Sequence, residues 1–486
     1  MSRRTVNIRD YAAKMPMAMV VIPFAVGIFF ADAFEVPLWL LIALCVLSLV
    51  GVVILSKWWR VAAIATMTVA TGALLHSLSY RAEVEYNKPL DMELDVATSS
   101  ALRRGYTSAE AKILACEDAT LVGRKVVLWG DSLIRFVAGD RLRLTTPIRP
   151  FRAEQAQYAG LMYHRGFVGA VSVNHRTTYE YVPTEGATLH EWAVARLQGS
   201  LPASDARSVV LAMATGERRE LSSELRQSYS ASGASHLLAV SGLHIGIAFM
   251  LVNLLLYPLV LLRYGNVWRS VGAVIFIWLY VWLCGVSPSA VRAAAMFSLL
   301  QLSLSSLREY VGINILAATA FAMLVFDSHL LFDISFQLSF VAVAGILLWA
   351  MPLYRLCATR FKLLNAIIGI LWVGVASTLI TMPLVANTFS VVSLVGILIN
   401  PIVILLANII VLAGIVALVV PIVGVVAELA AEVQNGVVAW AESLPYGHFE
   451  ITISDSAMWG VYALFVVATI VGISLFGGEK KREIEI

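Results

Sequence analysis

A chain of 486 residues that is 59% hydrophobic and only 14% charged, with a mean hydropathy of +0.81, is excluded from the class of soluble globular proteins. It holds several runs of the roughly 20 apolar residues that a bilayer crossing requires, so it reads as a polytopic α-helical membrane protein. A formal net charge of +3 is too small to specify a partner, and Cys45, Cys116, Cys284 and Cys357 are too far apart for a disulfide framework or a CxxC metal site.

Arg3, Arg4, Arg9 and Lys14 precede the first apolar run, which places the N-terminus in the cytoplasm. No small-residue cleavage site follows, so a retained helix is expected rather than a signal peptide. Spans near 15–31, 38–56 and 61–79 make up an N-terminal membrane region, 1–79, and deliver the chain to the outside. The loop with Asp32 and Glu35 and no Lys or Arg agrees with that orientation.

Residues 80–186 change character, with frequent charges and apolar runs of strand length. Alternating stretches at Lys112–Cys116, Lys125–Trp129 and Asp140–Thr145, separated by turn signals at Gly123, Gly130-Asp131 and Gly139-Asp140, predict an extracytoplasmic β-barrel or sandwich. Between residues 103 and 176 there are twelve Lys and Arg against six Asp and Glu, an excess that could track a phosphate backbone. Arg149, Arg152 and Arg165 interleave with Phe151, Tyr158, Tyr163 and Phe167, the combination a stacking surface for single strands needs. An ordinary solvated β-domain whose aromatics are core is the alternative.

Residues 187–232 predict amphipathic, interfacial helices, with Leu211, Leu221, Leu225 and Tyr229 set against Glu217, Arg218, Arg219, Glu220, Glu224 and Arg226. The apolar block 233–476 follows, with spans near 236–262, 268–284, 287–306, 312–326, 333–351, 364–386, 393–419 and 456–476, for about 10–12 spans in all. A charged tail, 477–486, closes the chain, and its Lys480, Lys481 and Arg482 favour the cytoplasm.

Polar groups inside this block carry the functional argument, because unpaired polar groups in hydrocarbon cost several kcal/mol each. His236, Ser241, Gly242 and His244 sit where an apolar run begins, and Ser241 and His244 share a helical face. Pro288 suits a helix's first turn, with Ser289 and Arg292 on one face, and an Arg at that depth should look into the protein or a wet cavity. Asp333 and Gln337 stack on another face, with Asp333 a candidate N-cap or a partner for Arg292. At Asn400-Pro401 a helix is expected to break.

Catalytic chemistry finds no support. There is no GxxxxGK[ST] loop, the eight histidines form no HExxH, and Ser241 and His244 on one helix lack both alignment and an orienting carboxylate. No metal, cofactor or catalytic residue is expected.

His236-Leu-Leu-Ala-Val-Ser-Gly-Leu-His244 resembles the signature of the ComEC-type competence proteins, the inner-membrane channels for imported DNA. Gly285-Val-Ser-Pro-Ser-Ala-Val-Arg-Ala293, Leu331-Phe-Asp-Ile-Ser-Phe-Gln-Leu-Ser-Phe340 and Asn400-Pro401 extend the likeness in the same order. The resemblance implies an OB-like barrel at 80–186 and a competence-type channel domain at 233–476. It further implies passage of single-stranded DNA into the cytoplasm, with His236, Ser241, Gly242, His244, Ser289, Arg292, Asp333, Gln337 and Asn400 lining, gating or framing the channel. Arg149, Arg152, Tyr158, Tyr163 and Arg165 would meet the strand first. Implied partners are single-stranded DNA, membrane lipid, a DNA receptor, a nuclease, and a cytoplasmic helicase or single-strand-binding protein. Many members carry a metallo-β-lactamase-like domain, whose HxHxDH motif this sequence lacks, so degradation of the other strand is expected from another protein. A secondary transporter of a small solute and a membrane scaffold with a partner-binding β-domain are the competing readings.

Overall fold

The computed structural model describes residues 15–476 apart from 35, 81–87, 98–100, 104–105, 132–133, 135, 137–138, 152–155, 175–176, 178, 183–188, 306–311, 358, 390, 394 and 445–447. The expectations for the basic N-terminus and the charged tail lie outside the described residues. The chain divides into two units, one of Val20–Thr188 with Phe321–Phe336, the other of Met1–Met19, Leu189–Ala320 and Gln337–Ile486.

The first unit starts with α1 (Pro16–Ala33), α2 (Leu38–Ile54) and α3 (Lys57–Tyr80). Helices α1 and α3 approach backbone to backbone: a methyl group at Gly27 would collide with the Val69 carbonyl, and one at Gly72 with the Phe24 carbonyl. With lipid outside there is no hydrophobic force between helices, so close contact through small residues holds such pairs.

The sheet contains β1 (Pro89–Val96), β2 (Ala101–Arg103), β3 (Tyr106–Cys116), β4 (Lys125–Asp131) and β5 (Arg141–Pro147). After α4 (Ala156–His164) come β6 (Phe167–Val173) and β7 (Tyr179–Val182). Its order is β6-β4-β3-β1-β5-β7, with β2 on β3. All pairs are antiparallel except β4 with β6. Strict alternation in β5 and β6 sends Leu142, Leu144, Val171 and Val173 to a core shared with Met92, Leu94, Ile113 and Leu128.

The small OB-like β-barrel expected is not shown: among the described residues the sheet is open. Past β5, Arg149 reaches β6 as an isolated bridge among the described residues, exchanging both backbone hydrogen bonds with Ala170 at 2.8 Å. Pro147 and Pro150 flank that bridge, and without N–H groups they cannot extend it into a ladder.

The second unit is helical. It runs through α5 (Leu189–Ser200), α6 (Asp205–Thr215), α7 (Ser223–Ala231), a 3-10 turn at Ser235–Leu238, α8 (Gly242–Leu255), α9 (Gly265–Leu283), α10 (Pro288–Ser305) and α11 (Gly312–Phe326). Then follow α12 (Ile334–Gly345), α13 (Met351–Cys357), α14 (Lys362–Phe389), β8 (Val391–Ser393), α15 (Val395–Ala417), α16 (Gly424–Glu442), β9 (His448–Glu450) and α17 (Asp455–Phe476).

Seven helical segments among the described residues are long and apolar enough to span a membrane, and five more are apolar but shorter. The sequence reading differs at four places. The expected span 236–262 is broken, because the chain is extended at Ala239 and Ser241 before α8 starts. Helix α16 was missed, since Glu428, Glu432 and Glu442 interrupt its hydropathy; its buried face of Ala427, Ala430, Ala431, Val438 and Ala441 nevertheless keeps helical spacing. The stretch expected to be interfacial holds α6, whose residues from Ser208 to Thr215 are all buried. Finally, α15 continues through Pro401 instead of breaking there, and α14 likewise continues through Pro383. Proline removes one helical hydrogen bond, and packing in a bundle tolerates that loss.

Candidate functional site

In the second unit, Ser241 stands at the N-cap of α8 in an extended conformation, and its carbonyl accepts the Ile245 N–H at 3.2 Å. His244 folds back so that Nδ1 accepts the Ser241 N–H at 3.3 Å. A neutral imidazole with Nδ1 accepting must carry its proton on Nε2. That Nε2–H is buried without a hydrogen-bond partner among the described residues, and the Ser241 side chain faces the His244 backbone as the other half of a capping box. His236 is exposed and donates from Nδ1 to the Gly233 carbonyl at 3.2 Å.

The second motif follows α9 through a turn in which Gly285 and Val286 both have positive φ, +71° and +52°. For a β-branched residue that conformation is strained and persists only where surroundings enforce it. Several groups do so. Val286 N–H bonds the Val281 carbonyl at 3.0 Å, and His190 Nδ1 donates to the Leu283 carbonyl at 2.8 Å. Tyr280 donates its hydroxyl to Ala214 O at 3.1 Å. Beyond the turn, Ser287 O accepts the Val291 N–H as the N-cap of α10, Ser289 Oγ donates to the Val240 carbonyl, and Arg292 is only 2% exposed.

Glu217 lies under this turn, its carboxylate 3.7 Å from His190 Nε2 and bonded to both the backbone N–H and Nε of Arg219 at 2.8 and 2.7 Å. Burial pushes the Glu217 carboxyl up, but hydrogen bonds from His190 and Arg219 overcome it and leave the group at about 2. Burial pulls His190 down, yet its bonds to Glu217 and to the Leu283 carbonyl raise it overall.

Gln337 is half-buried on α12. Asn400 is half-buried inside α15, and its Oδ1 is without a partner among the described residues.

Asp333 belongs to the first unit. It caps α12, its Oδ1 accepting from Ser335 N at 2.9 Å and Phe336 N at 3.1 Å. Its Oδ2 takes Arg165 Nε at 3.1 Å, so the partner it finds in this unit is Arg165, where the sequence had suggested Arg292. Arg165 also holds Glu110 at 3.0 Å and lies over the Phe167 ring.

Two more carboxylates repeat that pattern. Asp327 pairs with Lys125 at 2.8 Å. Asp32 holds His164 Nδ1 at 2.8 Å and lies 3.4 Å from His76 Nε2. His76 in turn bonds Ser328 Oγ at 2.9 Å, and His329 Nδ1 donates to the His164 carbonyl at 2.9 Å. The hydrogen bond to Asp32 raises His164 against the opposing effect of burial, whereas burial pulls His329 down. Carboxylates from the ends of apolar helices and turns thus meet bases from the β-domain and seat it.

Sequence reasoning missed this seam. Asp32, His76, His164 and His329 are scattered over some three hundred positions, and no local spacing links them. Among the described residues no group of three or more His, Cys, Asp or Glu could hold a metal ion.

Of the residues assigned to strand binding, Arg149 is exposed and Arg165 is held by two carboxylates. Tyr163 is half-buried, its ring edge-on to Phe151 at 5.1 Å and its hydroxyl accepting the Phe151 N–H. Arg152 and the side chain of Tyr158 lie outside the described residues.

Comparison with known proteins matches residues 213–476, just over half of the chain, to the family described as Competence protein. Uncharacterized protein YcaI of Escherichia coli (strain K12) is 28% identical over 310 residues, 58% of this chain and 39% of that protein. ComE operon protein 3 of Bacillus subtilis (strain 168) is 30% identical over 206 residues, 42% of this chain and 25% of that protein. An uncharacterized protein of Aquifex aeolicus (strain VF5) is 36% identical over 143 residues, 29% of this chain and 33% of that protein. The chain therefore spans between a quarter and two fifths of the length of these relatives. No solved structure matches. The match covers α8, the strained turn and α10, the elements that carry the buried polar groups, and the chain belongs to the competence protein family.

Proposed function

We propose that the chain is an inner-membrane channel that carries single-stranded DNA into the cytoplasm during natural transformation, with its β-domain outside the membrane as the receiving platform. The observation that carries this reading is the family match over a helical domain whose matched motifs bury polar groups at helix starts. A path for a polyanion needs a polar lining with contacts weak enough to release each nucleotide, and sparse buried donors suit that better than a dense row of Lys and Arg.

The β-domain supports the same reading through its connectivity. Strand β1 lies between β3 and β5, β4 pairs in parallel with β6, and Arg149 bridges to Ala170, the order expected of a partly open, OB-like barrel. Arg149 is its exposed candidate for the strand, while Lys125 and Arg165 serve in seating the domain. No catalytic role is assigned to any residue; degradation of the second strand, and capture of the emerging one by a helicase or single-strand-binding protein, fall to partners.

The test is the fate of labelled double-stranded DNA in competent cells with and without the gene, counted separately in periplasm and cytoplasm. Label held outside the inner membrane in the deletion is the expected result; unchanged cytoplasmic label overturns the proposal.

A further inference from the structure

Charges crowd the corner between α6 and α7, residues 216–222 of the second unit. Gly216 ends α6 in the left-handed region at φ +83°. A methyl group on it would lie 3.0 Å from the Cys284 carbonyl oxygen and 3.2 Å from Val240 Cγ2, so the corner packs beside the strained turn and the segment that leads into α8. Both of its carboxylates are engaged. Glu217 is held by Arg219 and His190. Glu220 accepts from Arg207 Nε at 3.1 Å and Nη2 at 3.0 Å, and from the Gln198 amide at 2.7 Å.

Two guanidinium groups are left over. Arg218 and Arg226 are both exposed, and neither has a carboxylate partner among the described residues. The fold nevertheless holds them together. Ser222 caps α7 by accepting the Leu225 N–H at 3.1 Å, and Arg226, one turn in, donates from Nη2 to the Arg218 carbonyl at 2.6 Å. The remaining acid, Glu224, is two positions from Arg226 and so lies on another side of α7. Partial desolvation in the corner and repulsion by Arg226 both lower Arg218 from its ordinary value. Like charges side by side cost free energy, and an anion between them turns that repulsion into attraction. Planar guanidinium groups offer parallel N–H donors, which suit phosphate oxygens. The surroundings favour a solvated ligand over a lipid headgroup, because Ser222, Ser223, Gln227 and Ser230 are exposed and α7 exposes no large apolar side chain.

We infer that Arg218 and Arg226 together hold one phosphodiester group of the single strand as it reaches the start of α8. The inference rests on the DNA-uptake reading and gives the helical unit a phosphate contact of its own, beside Arg149 in the β-domain. An exposed pair holds a phosphate without burying it, so each nucleotide can leave, as conduction requires.

The experiment uses the full chain in nanodiscs of neutral lipid and reads affinity for a fluorescent oligothymidylate across a range of salt. Arg218→Gln should weaken binding about threefold, and Arg218→Gln with Arg226→Gln about tenfold. In the double variant the slope of log affinity against log salt should shrink by about 0.7, the value for one phosphate of a single strand. Arg360→Gln, which removes an exposed charge elsewhere in the unit, should change neither. Parent-like affinity and slope in the double variant overturn the site and leave DNA uptake standing, as does an equal loss in Arg360→Gln. Anionic lipid added to the nanodiscs should act alike on parent and double variant; inhibition that only the parent shows assigns the pair to a lipid headgroup and overturns the strand contact. A parent that binds no oligothymidylate overturns the DNA reading, and melting in inorganic phosphate then decides the site. Stabilisation of the parent but not of the double variant upholds it, and no stabilisation overturns it. The Arg218 side chain makes no hydrogen bond or ion pair among the described residues, so if the double variant does not fold, Arg218→Gln alone is held to the same criteria.

Discussion

The two units treat buried polarity in opposite ways. In the first, Asp32, Asp327 and Asp333 are each matched by a base of the β-domain, His164, Lys125 and Arg165, at 2.8 to 3.1 Å. In the second, the His244 Nε2–H at the start of α8 meets no acceptor among the described residues. A matched set is complete as it stands and explains itself through folding. A buried donor left without an acceptor costs about 1–3 kcal/mol in the folded chain, which folding alone does not explain. Within the family motifs, Asp333 is accounted for by its cap and its ion pair, whereas His244 keeps an Nε2 without an acceptor among the described residues.

Removing Asp32 should break the comparison hardest if it is wrong. Asp32→Ala leaves His76 buried without its carboxylate, a loss of about 3 kcal/mol by analogy with other broken buried pairs. The full chain should melt several degrees lower and its β-domain should become sensitive to protease. Loss of strand affinity without loss of stability would instead move Asp32 to strand recognition.

Within the second unit, Glu217 supplies a matched network beside the unmatched one. Glu217→Gln should cost about 2 kcal/mol, less than Asp32 because Arg219 is half-exposed and rehydrates. Its carboxyl sits near 2 in the folded chain against an ordinary 4.5, so it binds fewer protons folded than unfolded. The stability it contributes is present above about pH 4.5 and disappears as pH falls toward 2. An acid melt monitored by circular dichroism should show that slope in the parent and a flatter one in Glu217→Gln.

How much of this was readable from the sequence follows from the range of each interaction. The start of α10 was legible because Pro288 fixes a helix's first turn locally, and Asp333 was legible as an N-cap for the same reason. The strands at Lys125 and Asp140 announced themselves by alternation between glycine turns. Helix α16 escaped because hydropathy averages over all faces, while its alanine stripe meets the core on only one. The capping box of Ser241 with His244 was not read, since a histidine three residues after a serine looks the same whether or not its ring folds back onto the serine N–H. The seam was invisible for another reason: it joins residues from about forty to two hundred positions apart, and Arg165, which looked like a phosphate contact, is held by Asp333 and Glu110.

Asp333→Ala tests that reassignment. It removes the α12 cap and one arm of the Arg165 clamp, for about 1–2 kcal/mol in all. Asp333→Asn keeps the capping oxygen and should recover most of the cap but none of the ion pair. Strand affinity should be nearly unchanged in both, and a tenfold loss in the asparagine variant would return Asp333 to the channel lining.

The smallest effect is the most specific to the seam. His164 is raised above its ordinary 6.5 by the hydrogen bond to Asp32, so the folded chain holds this proton more tightly than the unfolded one. Its contribution is complete below pH 6.5 and fades as pH rises through the higher folded value, the opposite sign to Glu217. Because His164 is 44% exposed, solvent screening limits the effect to about 1 kcal/mol or less. Between about pH 6 and pH 8 the parent's melting temperature should drop by a few degrees at most, and His164→Gln should remove that drop while still donating to Asp32. A slope that survives in His164→Gln would place the titrating group elsewhere and leave the Asp32–His164 contact as packing, which would weaken the case that the first unit's matched charges are what seat the β-domain.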